Sequence, residues 1–263
     1  RVYISSIADG NKRSGPLTVG FGGNPTKIGP EFSFGLSMAQ KLDGPILLIK
    51  TSWGGKSINY NFRPPSAGPY ELNEKEKNGG KAEEIRKNAG LNWRMMNEAV
   101  HAVLKDLKTY HPAYDPKVGH EMAGFVWFQG FNDQFSDEFR NNYRDMMVHF
   151  IKDVRKDLNA PMLPFVIAAI GTGGSKHPED HPVMVAQLAM NDVPEFQGNV
   201  IAFKTHVLVD KVAEAAFPTW RENFEEWQKI GSDRPYHYLG SGIWYTRIGH
   251  AAGDAMLKLL GDN

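Results

Sequence analysis

His237 stands four residues after Asp233 in the run Gly231-Ser232-Asp233-Arg234-Pro235-Tyr236-His237. A loop can fold such a carboxylate back to orient an imidazole, as an acid–base pair requires. Pro235 favours a loop over a helix here. The same residues also suit a plain turn, with Asp233 capping it and His237 at the surface. Trp53-Gly54-Gly55 offers a different group. Paired glycines leave backbone N–H donors open to a ligand, and such donors can stabilise an oxyanion. A tight strand-to-loop turn would need the same glycines. Gln129-Gly130-Phe131-Asn132-Asp133 adds side-chain amides and a carboxylate directly after an apolar run.

The elements that must position these groups follow from periodicity. Residues 122–128 (MAGFVWF), 45–50 (PILLIK), 164–170 and 199–204 read as strands buried on both faces. Each runs into a polar segment, and a parallel sheet gathers such segments along its carboxyl edge. Between the strands lie helical patterns. Pro30 and Glu31 open one whose inward stripe is Phe32, Leu36 and Ala39, with Asp43-Gly44 ending it. Residues 92–108 carry Met96, Ala99 or Val100, Val103 and Leu107 on one face. Ser136 caps a third helix, with Tyr143, Phe150 and Val154 in its stripe. Further helices are predicted over 183–190, 220–229 and 241–260. Stretches 14–30 and 59–80 read as irregular. Strand and helix alternate throughout, which implies an α/β fold with a mostly parallel sheet and helices on both faces. No repeat or linker divides residues 1–263, so one domain is expected.

Composition narrows the function classes. In 263 residues, 30 basic and 30 acidic side chains cancel, so no global field favours nucleic acid. No apolar run reaches the ~18 residues of a membrane span. The absence of cysteine excludes disulfides and thiolate chemistry without fixing the compartment. Gly171 to Lys176 (GTGGSK) misses the spacing of a phosphate loop. His177-Pro178-Glu179-Asp180-His181 has ligand-type side chains, but two prolines make it irregular, and no metal is assigned. A Gly-x-Ser-x-Gly elbow is absent.

Taken in order, Ile28-Gly29-Pro30-Glu31, Leu48 through Ser57, Val126 through Asp133 and Asp233 to His237 before a final helix resemble the SGNH-type carbohydrate esterases. The likeness is to their sialate O-acetylesterase and acetylxylan esterase group, and it covers nearly the whole chain. It implies a three-layer α/β/α sandwich, flavodoxin-like, around a mostly parallel central sheet. It implies a serine esterase that removes O-acetyl groups from a carbohydrate and needs no cofactor. By resemblance, His237 is the general base and Asp233 its orienting acid. Gly54 and Gly55 lend an oxyanion donor, and Gln129, Gly130, Asn132 and Trp53 belong to the oxyanion and substrate site; Trp53, Trp127 and the loop 14–30 are candidates for a sugar-binding rim, with a core role as the alternative for the two Trp. A secreted or periplasmic location is expected with such a substrate.

The chain departs from the family pattern in three places. Phe131 stands where many relatives have Glu, and Asp233 is four residues before His237 rather than three. The Gly-Gln-Ser-Asn block that carries the nucleophile is not present. Ser5, Ser6, Ser52 and Ser57 are possible substitutes, but position 1 is Arg and already strand-like. The expectation is that the first strand and its serine lie in a segment or second chain outside these residues. The alternative is a non-catalytic carbohydrate-binding or assembly protein that keeps the esterase fold.

Overall fold

A computed structural model describes residues 1–233 and 235–261. The chain opens in β1 (Val2–Ala8) and turns back at Asp9-Gly10, both at positive φ, into β2 (Asn11–Pro16). Asp-Gly in a two-residue turn is a strong hairpin signal. Even so, NKRSGP has no apolar alternation, and its residues from Ser14 onward fall in the stretch 14–30 that reads as irregular in sequence. Its antiparallel backbone pairing with β1 makes it a strand. β3 (Ile46–Ser52) pairs in parallel with the other edge of β1. β4 (Phe125–Trp127), β5 (Phe165–Ala169) and β6 (Val200–Lys204) form a second, all-parallel sheet. The strand predicted over 122–128 is therefore bonded only at its centre.

The main helices are α1 (Pro30–Lys41), α2 (Leu91–Lys105), α3 (Asp137–Asp157), α4 (Pro182–Leu188) and α5 (Gly242–Leu260). The fold is thus α/β, with helices flanking two three-stranded sheets ordered β2-β1-β3 and β4-β5-β6. Side chains alternate between the faces of β5. Phe165 and Ile167 join the cluster that α3 fills with Tyr143, Met147 and Phe150, while Val166 meets Met38 of α1 and Met256 of α5. The Ser136 hydroxyl caps α3 by accepting the Phe139 N–H at 3.3 Å, as the sequence implies. Among the described residues no helix is long and apolar enough to cross a membrane.

α1 presents a different face from the one predicted. Leu36 is 42% exposed, and Ser33, Gly35, Ser37 and Met38 are buried instead. The reason is close approach to α5. Ser33 Oγ donates to Thr246 O at 2.8 Å, and Ser37 Oγ lies 2.8 Å from His250 Nδ1. Gly249 makes that approach possible: a Cβ there would lie 2.2 Å from the Pro30 carbonyl oxygen. Gly249→Ala must push the helices apart. It is expected to destabilise the protein by about 1–3 kcal/mol, measured by urea unfolding.

Candidate active site

β3 runs into Trp53-Gly54-Gly55 and β4 into Phe128 to Asp133, and the residues after both carboxyl ends border one pocket. The loop before α5 brings His237 against them. Together they surround a pocket of about 220 Å³ lined by Trp53, Gly54, Gly55, Gln129, Gly130, Asn132 and His237. Residues from three distant stretches of sequence thereby meet at one edge, where open α/β sheets place their ligands. Thr172, from the polar segment that follows the strand 164–170, and Tyr245, which sequence reasoning did not single out, also line the pocket.

Asp133 fixes the geometry. It is fully buried, and its carboxylate accepts from Ile58 N–H at 3.0 Å, Asn59 N–H at 3.2 Å, Asn59 Nδ2 at 2.8 Å and Gln129 Nε2 at 2.7 Å. One side chain thus ties the loop after β3 to the loop after β4. Burial pushes its pKa up, against the downward pull of these donors. A carboxylate at a strand-end turn passes in sequence for a turn former, which hides this role.

Gln129 is held on all sides. Its Nε2 donates to Lys56 O at 2.8 Å as well as to Asp133, and its Oε1 accepts from the Tyr143 hydroxyl at 3.0 Å. Both amide hydrogens are engaged, so an oxyanion could be served only by giving one of them up. Gln129→Ala is expected to cost about 1–3 kcal/mol of stability, because it strips partners from groups already out of water. Equilibrium denaturation checks this. The Gly54 N–H is likewise engaged, by Asp9 Oδ1 at 2.8 Å. Gly55, at φ 66°, has an N–H with no hydrogen bond among the described residues, and the Asn132 amide lies beside it. Gly130, at φ 148°, packs tightly against Gln187 and Val183.

His237 lies at the pocket mouth, partly open to solvent, with the Phe131 ring edge-on at 4.3 Å between centroids. Burial of the rest of the imidazole lowers its pKa below 6.5, which keeps it neutral and able to accept a proton near pH 7. Asp233 forms an ion pair with Lys27, from the loop 14–30. Burial is the one cause behind the His237 shift, with no carboxylate contributing. Trp127 takes the core alternative: its Nε1 donates to Tyr143 at 3.2 Å and its ring packs on Phe150. Trp53 is half-buried, and its Nε1 has no hydrogen-bond partner among the described residues. Among the substitute serines, Ser5 and Ser6 are buried in β1, and Ser57 Oγ belongs to the turn at Tyr60 and Asn61.

Away from the pocket, His177 stacks near His181 and His206, at 4.7 and 5.4 Å between ring centroids. Burial first, then these neighbours, pushes His177 from 6.5 down to about 4. As pH falls from 6.5 towards 4, the unfolded chain takes up a proton that the folded chain refuses, so stability falls over that window. The urea midpoint should drop between pH 7 and pH 5, and less steeply in His177→Asn.

Comparison with known proteins identifies the family and the fold. The model of a family described as carbohydrate esterases, sialic acid-specific acetylesterases, matches residues 11–212. Over 58 residues the chain is 38% identical to a probable carbohydrate esterase of Arabidopsis thaliana, a stretch covering 22% of each chain. The solved structure of that Arabidopsis thaliana protein superposes with a TM-score of 0.56 at 19% identity, over 97% of this chain and 80% of that one. A carbohydrate acetylesterase from Xanthomonas citri superposes with a TM-score of 0.61 at 14% identity, over all of this chain and 50% of that one. At such identities the two structures share the fold. The aligned stretch spans about a fifth of the curated plant relative, and the chain spans half of the Xanthomonas citri one.

Proposed function

Since the chain belongs to the carbohydrate esterase family of sialic acid-specific acetylesterases, we propose that it hydrolyses O-acetyl esters of a sugar or polysaccharide by serine chemistry. The observation that carries this reading is the meeting of Gly54-Gly55, Gln129 to Asn132 and His237 around one pocket. At about 220 Å³ the pocket is smaller than the ~300 Å³ at which drug-sized sites begin, and it suits an acetyl group.

In this mechanism a serine hydroxyl attacks the ester carbonyl carbon while the neutral His237 takes its proton. The negative charge that develops on the carbonyl oxygen is met by backbone N–H donors. Gly55 is the readiest of them, because Gly54 is held by Asp9. Gln129 and Asp133 act from behind by fixing the loops that carry these groups. His237 then returns its proton to the departing sugar oxygen, and water repeats the sequence on the acyl-serine. Asp233 would orient His237 after leaving Lys27. The serine is supplied from outside residues 1–263, by a segment of the same polypeptide or a second chain. With it, the two sheets form the single central sheet of an SGNH-type α/β/α sandwich. A secreted or periplasmic protein fits such a substrate.

Acetate release from an acetylated sugar, together with covalent labelling by a fluorophosphonate, tests the reading on the natural polypeptide. Failure of both would favour a carbohydrate-binding protein without catalysis. The full internal engagement of Gln129 is the observation on that side.

A further inference from the structure

His237 is followed by a turn that residues with side chains avoid. Tyr238, Leu239 and Gly240 sit at φ 49°, 57° and 60°, three left-handed residues in a row. Residues other than glycine visit this conformation singly, because Cβ crowds the next carbonyl, so such a run holds only where its surroundings impose it. The turn closes through the Gly240 N–H, which donates to the His237 carbonyl at 2.9 Å. Gly240 lies against Ser232, where a Cβ would collide with the hydroxyl oxygen. His237 itself is extended, at φ −123° and ψ 130°, so the reversal after it fixes the direction in which its side chain leaves the backbone.

Tyr238 supplies the imposing contacts. It is 5% exposed, and its ring packs against Phe128 at 5.2 Å and Trp244 at 4.9 Å between centroids. Its hydroxyl accepts from the Gly171 N–H at 3.2 Å and lies 3.1 Å from Thr205 Oγ1. Thr205 is fully buried and gives its hydroxyl hydrogen to the Ala169 carbonyl at 2.5 Å. A hydroxyl has one hydrogen to give, so between these two hydroxyls Tyr238 is the donor. The bonds therefore run one way, from the Gly171 N–H to Tyr238, on to Thr205, and on to Ala169 at the end of β5. Phe128 follows β4, Gly171 follows β5 and Thr205 follows β6. One side chain is thus registered on the carboxyl ends of all three strands of the second sheet, and His237 is its neighbour in the chain. Asp233 is engaged by Lys27, whereas this hold on His237 draws on groups that are buried and paired.

We propose that Tyr238 is the positioning residue of His237, its hydroxyl locking the left-handed turn onto β5 and β6 so that the imidazole is aimed at the pocket. The use of that imidazole as a base rests on the proposed esterase reading; the lock rests on the hydrogen bonds and the backbone angles. Packing alone would be served equally by phenylalanine, which has the same ring and no hydroxyl.

Tyr238→Phe and Thr205→Val, each made in the natural polypeptide, test the lock. Either is expected to lower kcat for an acetylated sugar about 10-fold with KM little changed, since misplacement by ~1 Å can cost ~10²-fold in rate. The double variant should lose no more than the worse single one, because both break the same chain of bonds. Thr205→Ser keeps the hydroxyl and should hold kcat near wild type. In NMR spectra, the Overhauser contact between the His237 and Phe131 rings, whose centroids lie 4.3 Å apart, should weaken in Tyr238→Phe and Thr205→Val and persist in Thr205→Ser. A hydroxyl that served stability alone would leave both kcat and that contact in place, as Gly249→Ala should. The inference is overturned if the ring contact survives in Tyr238→Phe, or if an active wild type loses no kcat on that change. Equal losses in Thr205→Ser and Thr205→Val overturn it as well. The spectra separate the two claims. A wild type that hydrolyses no acetyl ester, yet loses the ring contact in Tyr238→Phe, keeps the lock and sinks the esterase reading. Hydrolysis with kcat and the contact intact in Tyr238→Phe does the reverse.

Discussion

Replacing His237 by alanine is expected to lower kcat for an acetylated sugar by ~10²–10⁴, the range typical of a lost general base. The measurement belongs on the natural polypeptide that carries the nucleophile. His237 is the titratable group at the pocket mouth whose pKa burial lowers, so it is neutral at pH 7 without help from a carboxylate. The wild-type rate should rise with pH through a value below 6.5 and then level off. In His237→Ala that limb should vanish along with the rate. The fold should persist, because the ring is partly exposed and its described ring contact is with Phe131. Near-wild-type turnover would remove His237 from the mechanism. A change confined to KM would make it a substrate-binding residue.

Asp133→Ala is expected to be the most destabilising substitution near the site, costing at least about 3 kcal/mol in equilibrium unfolding. It takes the carboxylate from the Ile58 and Asn59 amides, Asn59 Nδ2 and Gln129 Nε2. The Ile58 and Asn59 backbone amides lose their acceptor, whereas Asn59 Nδ2 keeps Phe139 O and Gln129 Nε2 keeps Lys56 O. Activity should fall as well, since the Gly54-Gly55 loop is no longer pinned to the strand end that carries Gln129. Asp133→Asn keeps one acceptor oxygen and should recover part of the stability. Equal stability of Asp133→Ala and wild type would mean that solvent replaces the carboxylate, which its complete burial opposes.

Much of the architecture was legible in order along the chain. The Ser136 cap, the 3.6-residue stripe through Tyr143, Phe150 and Val154, and the apolar runs of β3, β5 and β6 all carry their signal within a few residues. Local sterics and solvation set these patterns, so sequence reports them. The same holds for the polar breaks after strands, which mark Gly54, Gly55, Gln129, Gly130 and Asn132 as neighbours; His237 joins them in sequence only through the family resemblance. β2 was missed because an edge strand paired on one side needs no apolar face, only the Asp9-Gly10 turn and the backbone of β1.

The sequence by itself determined which residue types could do ester chemistry and that strand ends would present them. Tertiary structure alone decided which of them keep free hydrogen-bonding capacity. Gln129 lost its donors to Lys56 and Asp133, Gly54 lost its N–H to Asp9, and Asp233 gained Lys27. Leu36 was left outside because Ser33 and Gly249 let two helices meet too closely for it to enter. Each of these outcomes joins groups from distant parts of the chain. Spacing along a sequence fixes the periodicity of one element, but pairing between elements depends on how close their backbones can come and which donors remain unclaimed.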